Sequence, residues 1–178
     1  MASRAGNGPT EDHVSRLRDA WLRERPDIDT EGMAILGRAR RITLLTRESI
    51  EAVFARFGCD SGEFDVLATL RRAGRPYRLR PTELYESLMI SSGGLTDRIQ
   101  RLESRGLVIR RPSTEDGRST LVELTRKGLE RVDAAFAKDM QLEKELICGL
   151  SAGEKKTLAD LLAKLAAQVE SGARQRPR

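Results

Sequence analysis

The sequence predicts a mainly α-helical fold that carries one small β-hairpin. Helix formers such as Leu, Ala, Arg and Glu occur throughout a chain that is 33% charged and only 4% aromatic, a balance that suits helices with one solvated face. Apolar residues recur at helical spacing over most of the 178 residues. Residues 107–124 abandon that period for a strand, a polar turn and a second strand.

Residues 1–10 and 171–178 are small, polar or basic, with little to bury, and are expected to be disordered. Over residues 11–23, Val14, Leu17 and Trp21 form one apolar stripe, and Pro26 ends the pattern. A longer helix is expected over residues 30–57, where Met33, Leu36, Ala39, Ile42, Leu45, Ile50, Val53, Phe54 and Phe57 keep the period until Gly58. Residues 11–57 thus supply an added N-terminal helix and a strut long enough for dimerisation.

A new module spans residues 58–124. Asp60 and Glu63 have capping-box spacing ahead of the apolar run 64–70, which Gly74 closes. Pro81 suits the first position of a helix carrying Leu84, Tyr85 and Leu88. After a short link through Met89 and Ile90, Ser91 is the candidate N-cap of a helix over residues 91–105, and Gly106 supplies its left-handed end. Two helices joined by so short a turn have the helix-turn-helix pattern. Leu107, Val108 and Ile109 open a strand, residues 112–117 make a polar turn and residues 120–124 return, so a wing follows the second helix.

In residues 125–170, Thr125 caps a helix through Leu146 and Gly149 breaks it. Ser151 with Glu154 then forms a second capping box before Leu158, Leu161, Leu162, Leu165 and Val169. The terminal stripes have no obvious partner inside the module, so a second copy of the chain is expected to cover them in a two-fold homodimer. The expected architecture is a winged helix-turn-helix between N- and C-terminal dimerisation helices.

Thirty-two Lys and Arg against 27 Asp and Glu leave a net charge of +5, which favours polyanionic partners. No apolar run approaches the roughly 20 residues that span a bilayer, and the polar opening has no signal-peptide stretch, so a cytoplasmic protein without membrane contact is expected. Cys59 and Cys148 are far apart and have no neighbours at metal spacing. With His13 as the sole histidine and no nucleophile motif or phosphate loop, neither catalysis nor a bound metal or cofactor is expected.

On the 91–105 helix, Leu95, Ile99 and Leu102 stack on one side, which places Gly93, Asp97, Gln100 and Ser104 opposite. Ser91, Ser92 and Thr96 lie toward its N-terminal end, where small residues let the backbone approach a DNA groove. Asp97 is an acid aimed at a polyanion; it either accepts from a cytosine amino group or neutralises a nearby arginine. Arg101 is either a phosphate clamp or half of an ion pair. Asp116, Gly117 and Arg118 fall at the hairpin tip, where the guanidinium can enter a minor groove and the carboxylate can fix its approach.

With these elements in place, the chain resembles the multiple antibiotic resistance regulator (MarR) family of winged-helix proteins. The resemblance covers residues 12–169 and rests mainly on LMISSGGLTDRIQRLESRGLVIRRPSTEDGRSTLVELTRKG. It implies a dimer on a double-stranded inverted-repeat operator, usually a repressor, released by a small effector. Trp21 before RERPDID, and Asp65 within EFDVLATLRR, are similar to the urate-responsive branch of that family. That likeness implies a site for urate or a related organic anion built from Trp21, Asp65, Arg98 and Arg110. Asp97 departs from the family, which commonly has Asn there, and this bears on operator preference rather than on the effector.

Arg98 falls about 60° from the centre of the apolar stripe, so it points partly toward the interior. Asp65 in its apolar run needs a cation or a donor. The plainer alternatives are that Trp21 is core, Asp65 answers a helix dipole and Arg110 is a solvated wing charge. Two further readings stay open: a thiol sensor at Cys59 or Cys148, and a winged helix that binds only protein.

Overall fold

The computed structural model describes residues 11–89, 94–112 and 120–175. They divide into two compact units, one ending at Ala52 and the other beginning at Val53. In the first, α1 (His13–Glu24) starts on Asp12, which accepts from the Ser15 amide at 2.8 Å. Arg38 Nε donates to the same carboxylate at 2.8 Å. That hydrogen bond, with the Ser15 amide, holds the Asp12 pKa down at about 2. The expected 30–57 helix is not uniform: a π-helical turn, Met33–Gly37, precedes α2 (Arg38–Arg56), which crosses into the second unit. The turn coincides with the packing of Gly37 on Val14, where a Cβ on the glycine would meet Val14 Cγ1 at 3.1 Å. A helical repeat in the sequence does not encode such a tertiary contact.

The second unit is built around α3 (Ser61–Arg72), in which every residue from Gly62 to Leu70 is buried. Its capping box forms as the sequence predicts: the Glu63 amide donates to Asp60 at 2.7 Å and the Asp60 amide to Glu63 at 3.1 Å. Phe64 stacks on Phe54 with ring centroids 4.0 Å apart. β1 (Arg78–Leu79) and α4 (Pro81–Ser87) follow, and Pro81 takes the first helical turn, where its missing N–H is harmless.

α5 (Leu95–Ser104) begins later than the sequence suggests. Its N-cap is Gly94, not Ser91, because Gly94 adopts φ +71°, a left-handed conformation that interrupts the helix at a position other residues avoid. Leu95, Ile99 and Leu102 are its buried side. β2 (Val108–Pro112) and β3 (Thr120–Leu124) form the hairpin, and β1 pairs with β3, giving a three-stranded antiparallel sheet of order β1-β3-β2. Pro112, expected in the turn, is the last residue of β2 opposite Thr120. An edge strand tolerates it, since no outer ladder needs its amide.

α6 (Arg126–Leu146) is capped by Thr125, whose hydroxyl accepts from the Gly128 amide at 3.0 Å. α7 (Ala152–Gln175) opens on the Ser151–Glu154 box and runs past residue 170 to Gln175, so the expected disordered tail starts too early. Once nucleated, a helix extends readily through residues such as Ala173, Arg174 and Gln175. Leu158, Leu161, Leu162 and Val169 of α7 are exposed, as are Phe136 and Leu146 of α6. No described helix is long and apolar enough to cross a membrane.

Candidate nucleic-acid interface

α4 and α5 form the helix-turn-helix, and a surface groove of about 450 Å³ between them is lined by Pro81, Thr82, Tyr85, Glu86, Gly94, Leu95, Thr96 and Asp97. Thr96, Asp97 and Gln100 are exposed on α5, opposite the apolar side that packs inward. Ser91, Ser92, Gly93, Asp116 and Arg118 lie outside the described residues.

The arginines of this region face α3. A Cβ placed on Gly62 would sit 2.5 Å from Arg98 Cζ, so this guanidinium lies flat against the first turn of α3. Arg101 Nε donates to Glu63 Oε1 at 2.7 Å and its Nη2 to Asp60 Oδ2 at 3.1 Å, so the ion-pair alternative is the one it adopts here. Arg105 Nη2 reaches the same Glu63 oxygen at 2.7 Å, and another of its nitrogens donates to the Gly58 carbonyl. Residues 98, 101 and 105 share one face of a helical count, which α3 meets with Gly62, Glu63 and Asp60. Burial pushes the Glu63 carboxyl up, but the hydrogen bonds from Arg105, Arg101 and the Asp60 cap outweigh it and leave the pKa below its ordinary value.

Asp65, one turn further along α3, is buried, with its side chain 7% exposed. Its Oδ1 accepts from the Met89 amide at 3.2 Å and lies 3.8 Å from Arg72 Nη2. This carboxylate therefore ties α3 to the segment leading into α5. Arg110 on β2 extends Nη1 to Glu103 at 3.3 Å, and its amide donates to the same side chain at 3.3 Å, so the wing root is fastened to α5. Trp21 stands on α1 in the first unit and is 53% exposed, which removes the core alternative for it within that unit.

Three participants were missed by the sequence reading. The spacing of Glu63 marks it as a cap, and in the fold it also gathers Arg101 and Arg105. Glu103 and the Met89 amide had no local signal, because their partners are brought to them by the fold. The arginine spacing 98, 101, 105 was the available clue to a second ionic face. Cys59 is buried, and desolvation, offset in part by Arg105, raises its thiol pKa; a thiol held in that form is a poor peroxide sensor. Cys148 is exposed. Among the described residues no group of His, Cys, Asp and Glu is placed to hold a metal ion.

A model of the MarR family matches residues 58–119. The HTH-type transcriptional regulator PecS of Dickeya dadantii (strain 3937) is 36% identical over 152 residues, covering 85% of this chain and 92% of that protein. The chain belongs to the MarR family. Among solved structures, a mutant MarR from E. coli complexed with operator DNA is 30% identical, with a TM-score of 0.64 over 78% of this chain and 99% of that one. AbsC of Streptomyces coelicolor, 23% identical with a TM-score of 0.70, has the same fold. This MarR-family chain is thus a DNA-binding transcriptional regulator, and the proteins it resembles are regulators rather than enzymes.

Proposed function

We propose that the protein is a dimeric repressor that holds an inverted-repeat operator and is released by urate or a similar small organic anion. The observation that carries the effector reading is the buried Asp65 carboxylate, which accepts from the Met89 amide ahead of α5 while the Arg98 guanidinium of α5 lies against Gly62, three residues before Asp65 on α3. A planar anion that offers an N–H to Asp65 and its charged side to Arg98 and Arg110 competes for groups that now position α5 and the wing root. The sequence resemblance adds Trp21 as the stacking surface. The dimer reading is supported by the exposed leucines of α7, which leave an apolar stripe uncovered in a single chain. Operator contacts are assigned to Ser91, Ser92, Gly93, Thr96, Asp97 and Gln100, with Arg118 and Asp116 on the wing and Arg101 available when it leaves Glu63.

Urate at a hundredfold excess over its Kd should stabilise the folded protein by about 2.7 kcal/mol and raise the unfolding midpoint by about 5–10 °C. In gel shifts with a palindrome from the regulator's own promoter, the same urate should release the DNA. Urate that neither stabilises the protein nor weakens the complex ends the effector reading. Replacing Arg118 by Ala should weaken operator binding about tenfold and lower the slope of log affinity against log salt by about one. Unchanged affinity and slope would remove the wing arginine from the interface.

A further inference from the structure

We propose that Gly62 is a positioning residue for Arg98, and that its missing side chain is what lets the effector arginine take its place on α3. This rests on the effector reading above. Glycine within a helix costs about 1 kcal/mol relative to alanine, so its presence in a buried turn calls for a reason. Gly62 lies within α3 without a positive φ and needs no special backbone conformation; what distinguishes it is the neighbour. Arg98 Nη2 would lie 2.9 Å from an added Cβ and Cζ 2.5 Å from it, closer than real Cβ contacts come.

The next residue, Glu63, already binds Arg101 and Arg105 and so fastens the C-terminal half of α5, one and two turns beyond that contact. A methyl group at 62 therefore meets a helix that is held in place, and the Arg98 side chain is the part that yields. Because that neighbour is a flexible side chain, the variant folds; the change falls on the location of the guanidinium. Asp65 lies three residues along the same helix, on the face that Gly62 presents, so a displaced guanidinium leaves the face that carries the carboxylate with which it would share a ligand.

The test compares wild type, Gly62→Ala, Arg98→Ala and the double variant by isothermal titration with urate and by thermal unfolding. Gly62→Ala is expected to weaken urate binding about tenfold, the scale of one charged hydrogen bond. The double variant should bind no more weakly than Arg98→Ala alone. Wild-type affinity in Gly62→Ala, or losses that multiply in the double variant, overturns the proposal. If wild type binds no urate, the effector reading is what has failed, and the positioning is judged on unfolding midpoints. A Gly62→Ala shift that vanishes in the Arg98→Ala background then supports it, and one that persists overturns it.

Discussion

Gly128→Ala is expected to lower the unfolding midpoint by about 6–12 °C, the equivalent of about 3 kcal/mol in a chain of this length. A Cβ on Gly128 would sit 2.0 Å from the Leu107 carbonyl oxygen and 2.9 Å from its carbon. That oxygen also accepts from the Thr125 amide at 3.1 Å and its hydroxyl at 3.2 Å, so the backbone just before β2 is pinned where the methyl must go. Neither partner can step aside without breaking the junction between the wing and α6. Gly153→Ala is the internal control: nothing lies within 4 Å of a Cβ there, and the helix should gain slightly. Circular dichroism melts of both variants check the pair, and a Gly128→Ala midpoint within about 2 °C of wild type would contradict the packing described.

Glu63→Ala should cost about 2 kcal/mol, less than a fully buried ion pair would because Arg101 and Arg105 remain partly in water. Only 5% of the Glu63 side chain is exposed, whereas 51% and 37% of the two arginine side chains are. Its folded pKa lies below the ordinary value, so its stabilising contribution is complete above the unfolded pKa of about 4.3 and is lost as pH falls through the folded one. The difference in unfolding free energy between wild type and Glu63→Gln should be flat from neutral pH to about pH 5 and shrink below about pH 4. Denaturant titrations at several pH values measure it; a difference that grows on acidification would reverse the assigned sign.

The elements that local chemistry specifies were readable in the chain. Asp60 with Glu63, Ser151 with Glu154, Pro81, Thr125 and Gly106 each mark a boundary through a bond or a backbone angle set within a few residues. Those that escaped depend on distant partners. β1 is two residues long and exists only because β3 offers a ladder 43 to 45 positions away in sequence, Arg78 opposite Glu123 and Leu79 opposite Val122. The π turn follows the packing of Gly37 on Val14, and the start of α5 follows a single dihedral angle at Gly94. The same division holds in the candidate site. That Arg98 leans toward the protein follows from counting angles around a helix, whereas Arg101 is paired by acids 38 and 41 residues upstream that no periodicity connects to it.

The orientation of those arginines bears on how the regulator handles DNA. Within α5, Asp97 and Glu103 balance Arg98 and Arg101, and both arginines are turned to α3. The surface left to face a groove is made of hydroxyl, amide and carboxylate groups, which distinguish base edges yet add almost no attraction to phosphate. With α5 as the proposed reading helix, grip and discrimination belong to separate parts of the molecule: cations elsewhere would set how tightly any duplex is held, and α5 which one is preferred.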